Sequence, residues 1–432
     1  MDWLLEQRPA LVALIFAATY LGIALGGLPG LVLDRTGVAL LGAIAMLATG
    51  ALTIEQAVQA VDHETVLLLF GLMIFSAQLR VAGFYVTAGR FLTRLTERPL
   101  VLLGGLVATS AALSALLAND IVCLALTPLL CSALLRAGHD PIPYLVALAT
   151  SSNVGSAATI IGNPQNMFIG SVGRLDFGHY TLVALVPVLV SLVLCWGLVA
   201  VLFHRRLHAP PEPPGAPLLH PEDTLVPTSL PLQLEPPARD DYLIAKTLVL
   251  LAALVVCFLF VRGQWRAIAA LAGAGLLLCS RRARAARLYQ LVDFNLILLF
   301  LGLFAVHGAL EQQGLTARGL RALEHAGIDL RQPALLAAVT LGLSNLVSNV
   351  PAVLLLEPAL SAFDQTRLWY LLALASTFAG NLTLVGSVAN LIVAESASAF
   401  GVRLSLGLYC RVGVPLTLLT VALATLWIAA VL

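Results

Sequence analysis

Residues 150–166 read TSSNVGSAATIIGNPQN, and they sit inside a run of 33 positions, 141–173, that carries no Asp, Glu, Lys or Arg. The run is longer than one crossing of a bilayer needs, since about 20 apolar residues span a hydrocarbon core of about 30 Å. Its middle is nonetheless rich in Ser, Asn, Gly and Pro. A continuous helix facing lipid has no use for this composition, because Gly and Pro free backbone N–H and C=O groups that lipid cannot satisfy. Such groups survive at membrane depth only where they line a protein cavity or a ligand. The reading is therefore a broken membrane helix. A second stretch, AGNLTLVGSVAN at 379–390, is written the same way.

Composition agrees with a membrane solvent. Of 432 residues, 59% are hydrophobic and only 11% charged, and the mean hydropathy is +0.95. Soluble domains carry about a quarter charged residues and stop enlarging one core at about 250–300 residues. The formal charge of +1 leaves no basic field, so no nucleic-acid partner is expected. Charge-free runs at 10–33, 36–54, 65–79, 99–119, 121–135 and 177–203, then at 247–261, 267–280, 294–310, 332–356, 368–394 and 412–432, supply the other spans. Asp2 and Glu6 spoil the basic start of a signal peptide, so the first run reads as a retained helix. The six cysteines lie in apolar runs without a CxxC, as small core residues rather than a metal site.

Between the halves, 204–241 turns polar and proline-rich, an extended connector. It separates 1–203 from 242–432, and the two segments repeat each other. Val61-Asp62 followed by Leu67–Leu72 matches Val292-Asp293 followed by Leu298–Leu303, with Gly71 on Gly302 and Gly83 on Gly314. Leu113-Ser114, Asn119 and Pro128 match Leu343-Ser344, Asn349 and Pro358, while Thr159, Gly162 and Asn166 match Thr383, Gly386 and Asn390. Chance alignment of leucine-rich spans explains the Leu matches and not the paired Asp, Asn, Pro and Gly. Each half reads as five spans plus a re-entrant hairpin, at 99–135 and 332–361. The odd number of crossings inverts the second half, as in secondary transporters.

Sidedness follows from the basic residues. With the linker cytoplasmic, Arg35, Arg80, Arg90, Arg94, Arg98, Arg136, Arg205, Arg206, Arg239, Lys246, Arg281, Arg282, Arg284, Arg287, Arg403 and Arg411 fall inside, 16 of the 24. Both termini are then expected outside, in a multi-pass protein of the plasma (inner) membrane.

The hairpin tips, Ala118-Asn119-Asp120 and Ser348-Asn349-Val350-Pro351, are expected about halfway into the membrane. Helix N-termini at such turns attract anions, and carbonyl, amide and hydroxyl oxygens suit Na⁺. The expected substrate and ion site comprises Asn119, Asp120, Ser152, Asn153, Gly155, Thr159, Asn163 and Asn166 from the first half, with Ser348, Asn349, Asn381, Thr383, Ser387 and Asn390 from the second. No cofactor is expected beyond Na⁺ as a coupling ion, which would bind near Asn119 and Asn349. Asp120 and Glu357 are the carboxyls left at membrane depth and the candidates for proton coupling. Helix capping is the competing role for Asp120 and, more strongly, for Asp62 and Asp293. His307, on an apolar face, reads as a core histidine more readily than as a proton relay. Hydrolase and metalloenzyme motifs such as GxSxG and HExxH are missing, which counts against a polytopic membrane enzyme.

With these motifs in view the chain resembles the ion-transporter superfamily that includes arsenite/antimonite permeases, citrate transporters, divalent anion:sodium symporters and sodium/proton antiporters of the same fold. Leu33-Asp34-Arg35-Thr36, the Asp62 block, residues 344–351 and residues 380–386 carry the resemblance, which covers nearly all of the chain outside the linker. It implies an all-α polytopic carrier of elevator type, commonly a homodimer, that moves a small anion or oxyanion on a Na⁺ or proton gradient. Cation/proton antiport is the alternative within the fold. The symporters carry Ser-Asn-Thr at both tips. Here neither tip has the threonine, and Asp120 takes its place in the first.

Overall fold

The computed structural model describes residues 2–27, 33–93, 95–210, 239–363 and 365–432. The proline-rich part of the connector, 211–238, lies outside these, and the described part includes a short helix, His204–Leu207. Among the described residues there are 21 α-helices and no β-strand. Seven helices are long and apolar enough to cross a membrane: His63–Val81, Pro99–Leu116, Asn119–Arg136, Phe177–Leu202, Asp241–Phe258, Phe294–Gln312 and Leu406–Val431. Shorter apolar helices complete the bundle, so the protein is an all-helical, polytopic membrane protein.

The helices before and after the connector follow the same order of lengths. His63–Val81 and Phe294–Gln312 both have 19 residues, and Phe177–Leu202 and Leu406–Val431 both have 26. Asp62 and Asp293 begin the first pair in the same way, Asp62 Oδ1 accepting from the Thr65 N–H at 2.7 Å and Asp293 Oδ1 from the Leu296 N–H at 3.1 Å. Both are N-caps.

Packing crosses between the halves. Arg35–Ala48 lies along Phe294–Gln312, and His63–Val81 lies along Gln264–Leu278. Glycine allows each close approach. A Cβ on Gly302 would stand 2.8 Å from the carbonyl carbon of Ala39, and one on Gly71 would stand 3.0 Å from that of Ala270.

At the centre, every residue of Ile142–Ser156 is buried, as is every residue from Leu368 to Ala379 within Thr366–Ala379. The two 26-residue helices flank this centre and expose apolar side chains, among them Leu182 and Leu426, as lipid-facing surfaces do. Trp427 Nε1 joins them by donating to the Val183 carbonyl at 3.0 Å.

Both hairpins form. Pro99–Leu116 and Asn119–Arg136 meet at Leu117-Ala118, and Pro333–Val347 and Asn349–Phe363 meet at Ser348. The 18-residue arms of the first are about 27 Å long at 1.5 Å per residue. That is longer than a tip halfway into the membrane requires. Four short helices, Ile54–Gln59, Phe84–Thr93, Ala285–Tyr289 and Leu315–His325, occupy stretches that the charge count treats as loops. Cys123, Cys131 and Cys195 are core residues as expected, whereas Cys279 is exposed at a helix end.

Candidate functional site

Both expected helix breaks are present. Ile142–Ser156 stops, residues 157–163 run without a helix, and Pro164–Val172 resumes; Thr366–Ala379 stops, a 3-10 turn covers Leu384–Gly386, and Val388–Ser398 resumes. The first break sits tightly against its neighbours. A Cβ on Gly155 would lie 2.3 Å from Ala111 Cα, and one on Gly162 would lie 2.8 Å from the Ser114 carbonyl oxygen of the first hairpin.

Asn153 is the hub. Its Nδ2 donates to Asn381 Oδ1 at 2.9 Å and to Asn390 Oδ1 at 3.0 Å, and its Oδ1 accepts from Asn119 Nδ2 and from Ser387 Oγ, both at 3.0 Å. A single amide thus joins the first hairpin tip, the first broken helix and both halves of the second. Around it, Asn381 Nδ2 donates to the Thr150 carbonyl at 3.1 Å, and Asn390 Nδ2 donates to the carbonyls of Gly380 (2.8 Å) and Thr383 (3.1 Å). The carbonyls of Gly380 and Thr383 are among the backbone groups that the second break releases, so Asn390 does the work that a continuous helix would have done.

Several of these contacts occur twice. In the register that sets Thr159, Gly162 and Asn166 on Thr383, Gly386 and Asn390, Asn153 falls on Thr377 and Asn163 on Ser387. Ser387 Oγ donates to Asn153 at 3.0 Å, and Asn163 Nδ2 donates to Thr377 Oγ1 at 3.1 Å. Asn153 donates to Asn390, and Thr377 Oγ1 donates to Asn166 Oδ1 at 3.3 Å. Asn390 Nδ2 reaches the Thr383 carbonyl, and Asn166 Nδ2 reaches the Thr159 carbonyl at 3.3 Å. Asn163 also caps Pro164–Val172, its Oδ1 accepting from the Asn166 N–H at 2.9 Å.

The tips differ. Asn119 is tied to Asn153, whereas the buried Asn349 has no hydrogen-bond partner for its Oδ1. Asn349 Nδ2 packs against the second break, where a Cβ on Gly380 would stand 2.9 Å from it. Ser348 has φ +79° and ψ 162°, a region that glycine alone occupies without strain; Ala118, at the other tip, has φ −57°. Asp120 lies in the first turn of Asn119–Arg136, partly buried, with no hydrogen bond or ion pair among the described residues.

Most of the expected site residues therefore gather around the two breaks. Ser152 is turned aside, 3.1 Å from Cys123 Sγ, and Thr159 Oγ1 is occupied by the Ala115 carbonyl. Glu357 is elsewhere, bonded to Ser361 at 2.7 Å and lining a separate cavity with Asp62 and His307. Thr377, Asn345, Ser156 and Tyr180 belong to the network without having been singled out. Thr377 falls on Asn153 in the repeat register, which was the available signal for it. Among the described residues no group of three His, Cys, Asp or Glu is placed to hold a metal.

Comparison with known proteins agrees with this architecture. A "46 kDa membrane protein" of Mycobacterium leprae is 28% identical over 382 residues, covering 85% of this chain and 86% of its own length. A silicon efflux transporter of Oryza sativa subsp. japonica is 27% identical over 421 residues, covering 85% and 86%. Among solved structures, the Alcanivorax borkumensis YdaH transporter, described as having an unusual topology, superposes with a TM-score of 0.54 at 13% identity, covering 98% of this chain and 97% of that one. The citrate transporter family model matches residues 11–379. The chain thus belongs to the citrate transporter family, and it is a membrane transporter rather than an enzyme.

Proposed function

We propose that the protein is a secondary active transporter of a small anion or oxyanion, of the dicarboxylate, sulfate or arsenite class, driven by a Na⁺ or proton gradient across the plasma membrane. The observation that carries this reading is the Asn153 hub, where the helix beginning at Asn119 and the helix beginning at Val388 both direct their N-terminal ends at one buried amide. Helix N-termini attract anions. Residues 116–121, 150–166, 345–351 and 379–390 contain no Lys or Arg, so substrate charge falls to helix ends, amides and hydroxyls. Asn119, Asn153, Asn163, Asn166, Asn381, Ser387 and Asn390 bind or frame the solute in this reading, and the free Oδ1 of Asn349 is an acceptor for a coupling cation such as Na⁺.

The doubled contacts around the breaks, and the Gly71–Ala270 and Gly302–Ala39 approaches in matching register, support an inverted repeat of 1–203 and 242–432. In an elevator mechanism the hairpins and broken helices move together past the crossed pairs of scaffold helices, and a homodimer holds the scaffold still.

Uptake into proteoliposomes of citrate, dicarboxylates, sulfate, phosphate and arsenite, each with and without Na⁺ at two pH values, tests the reading. Saturable uptake of one anion that accumulates on an imposed cation gradient is the expected result. Na⁺-for-proton exchange with no anion present would replace it with antiport, and the unpaired Asp120 would then be the exchanging carboxyl.

A further inference from the structure

A second polar region lies apart from the Asn153 hub. A cavity of about 250 Å³ is lined by Asp62, His307, Glu311 and Glu357, with Phe168 and Phe304 between them. It reaches Gln59 and Ala60, at the end of the short helix Ile54–Gln59. Three carboxyls from three elements share it: the loop before His63–Val81, the end of Phe294–Gln312 and the middle of Asn349–Phe363. Asp62 is committed to capping and to the Ser171 hydroxyl at 3.0 Å, and Glu357 to Ser361. No Lys or Arg lines the cavity to balance them.

His307 is the basic group among these acids. It is more than nine-tenths buried, and only its Nε2 is bonded, 2.6 Å from the Tyr20 hydroxyl oxygen. Nδ1 has no partner among the described residues, although the ring lines the cavity. Tyr20, from Asp2–Ala24, in turn lies 3.3 Å from the Pro351 carbonyl oxygen, two residues beyond Asn349 at the second hairpin tip.

We propose that this cavity is a proton-binding site, in which His307 takes up a proton and Tyr20 reports the change to the second hairpin at Pro351. This rests on the carrier reading above and adds to it the residues through which a proton acts on the second hairpin.

Tyr20 has one proton and two acceptors. In this proposal the neutral ring carries its proton on Nδ1, so Nε2 is bare and accepts from the Tyr20 O–H. The Pro351 carbonyl then has no donor from Tyr20. A second proton, arriving from the cavity, makes the imidazolium. Nε2–H now donates to the Tyr20 oxygen, and the Tyr20 O–H turns to Pro351. No proton leaves Tyr20; what moves is the direction of two hydrogen bonds. Protonation therefore fastens the second hairpin to the helices that carry Tyr20 and His307, and deprotonation releases it. Around the ring the titratable groups are Tyr20, Asp62, Glu311 and Glu357, and the helix Pro164–Val172 contributes only Phe168 and Val172.

Hydrogen–deuterium exchange of the full chain in detergent, corrected for intrinsic rates, reads the switch directly. Between about pH 4 and 8, residues 349–363 are expected to be more protected at the acid end in the parent protein. That dependence should vanish in both His307→Gln and Tyr20→Phe. A hairpin whose protection ignores pH in the parent, or a dependence that persists in both variants, overturns the proposal. Two variants of different chemistry guard against a simple folding defect, which monodispersity on a sizing column detects.

A flux measurement separates the two readings. With labelled citrate as the probe, the ratio of proton-gradient-driven uptake to citrate counterflow should fall about tenfold or more in either variant. An unaltered ratio sinks the proton site and leaves the carrier reading standing. If the parent catalyses no counterflow of citrate or of the other screened anions, the carrier reading fails, while the exchange result still decides whether His307 is a proton-controlled latch.

Discussion

Asn153 Nδ2 donates to Asn390 Oδ1 at 3.0 Å, a side-chain bond that links residues 237 positions apart and fastens one interrupted helix to the other. With Asn119, Asn381 and Ser387, it uses the amide's two donors and both lone pairs of its oxygen. Asn153→Leu strands four buried partners at once, and an unmade buried hydrogen bond costs about 1–3 kcal/mol per group. We expect a loss of more than about 3 kcal/mol, seen as a fall in the unfolding midpoint in detergent, together with loss of transport. Asn119→Ala breaks one bond of the same hub and should cost only about 1 kcal/mol. Equal losses would show that the hub does not act as a unit.

Glycine substitutions should have opposite signs at two helical positions. Alanine ordinarily stabilises a helix by about 1 kcal/mol relative to glycine. Gly197, in Phe177–Leu202, has open space where a Cβ would stand, so Gly197→Ala should raise the unfolding midpoint. A Cβ on Gly155 would stand 2.3 Å from Ala111 Cα, so Gly155→Ala forces apart the first hairpin and the first broken helix. Overpacking of this kind costs about 1–3 kcal/mol, and the midpoint should fall.

Ser348 holds its strained backbone between two helices, without the freedom that glycine would give it. Such conformations cost about 1–3 kcal/mol. Ser348→Gly should therefore stabilise the folded protein by about 1 kcal/mol, while the less constrained tip raises KM for the transported anion. A variant no more stable than the parent would mean that the hydroxyl contributes as much as the strain costs.

Asp176 gives a pH prediction outside the membrane. Its carboxylate accepts from the His179 N–H at 2.8 Å, and Arg262 stands 3.2 Å away; the backbone bond first, and the guanidinium with it, hold the carboxyl below the usual aspartate range. A carboxyl with a lowered folded pKa adds stability above its unfolded pKa of about 3.9, and that stability fades as pH falls through the lower folded value. Comparing unfolding midpoints for the parent and Asp176→Ala, we expect a gap near neutrality that closes below about pH 4. A gap that is constant with pH would assign the residue's effect to packing.

Much of this architecture was legible in the chain itself. Charge-free runs locate the spans, because lipid tolerates few charges at depth. Gly-Asn-Pro density locates both breaks, since those residues free backbone groups that only a protein interior can satisfy. The helix caps at Asp62 and Asp293 were readable for the same local reason. Less legible was which polar side chain answers which. Asn119, Asn153 and Asn390 are alike in sequence, and only folding makes Asn153 the hub. Ser152 and Thr159 were plausible site residues whose hydroxyls are taken by Cys123 and the Ala115 carbonyl. Glu357, expected as a coupling carboxyl, lines a cavity apart from the hub, because its helix carries it past the tip by two turns. The Tyr20–His307 pair, 287 residues apart, leaves no local trace at all.

The crossed packing of Arg35–Ala48 on Phe294–Gln312 and of Gln264–Leu278 on His63–Val81 has a consequence for biosynthesis. Neither half owns a complete frame. As the chain leaves the ribosome, the groove along Arg35–Ala48 stays open until about 250 further residues have been made. During that interval lipid or the insertion machinery must cover Ala39, the surface that Gly302 later meets. Expressed as two polypeptides cut within the connector, the halves should accumulate only together, each serving as the other's missing template.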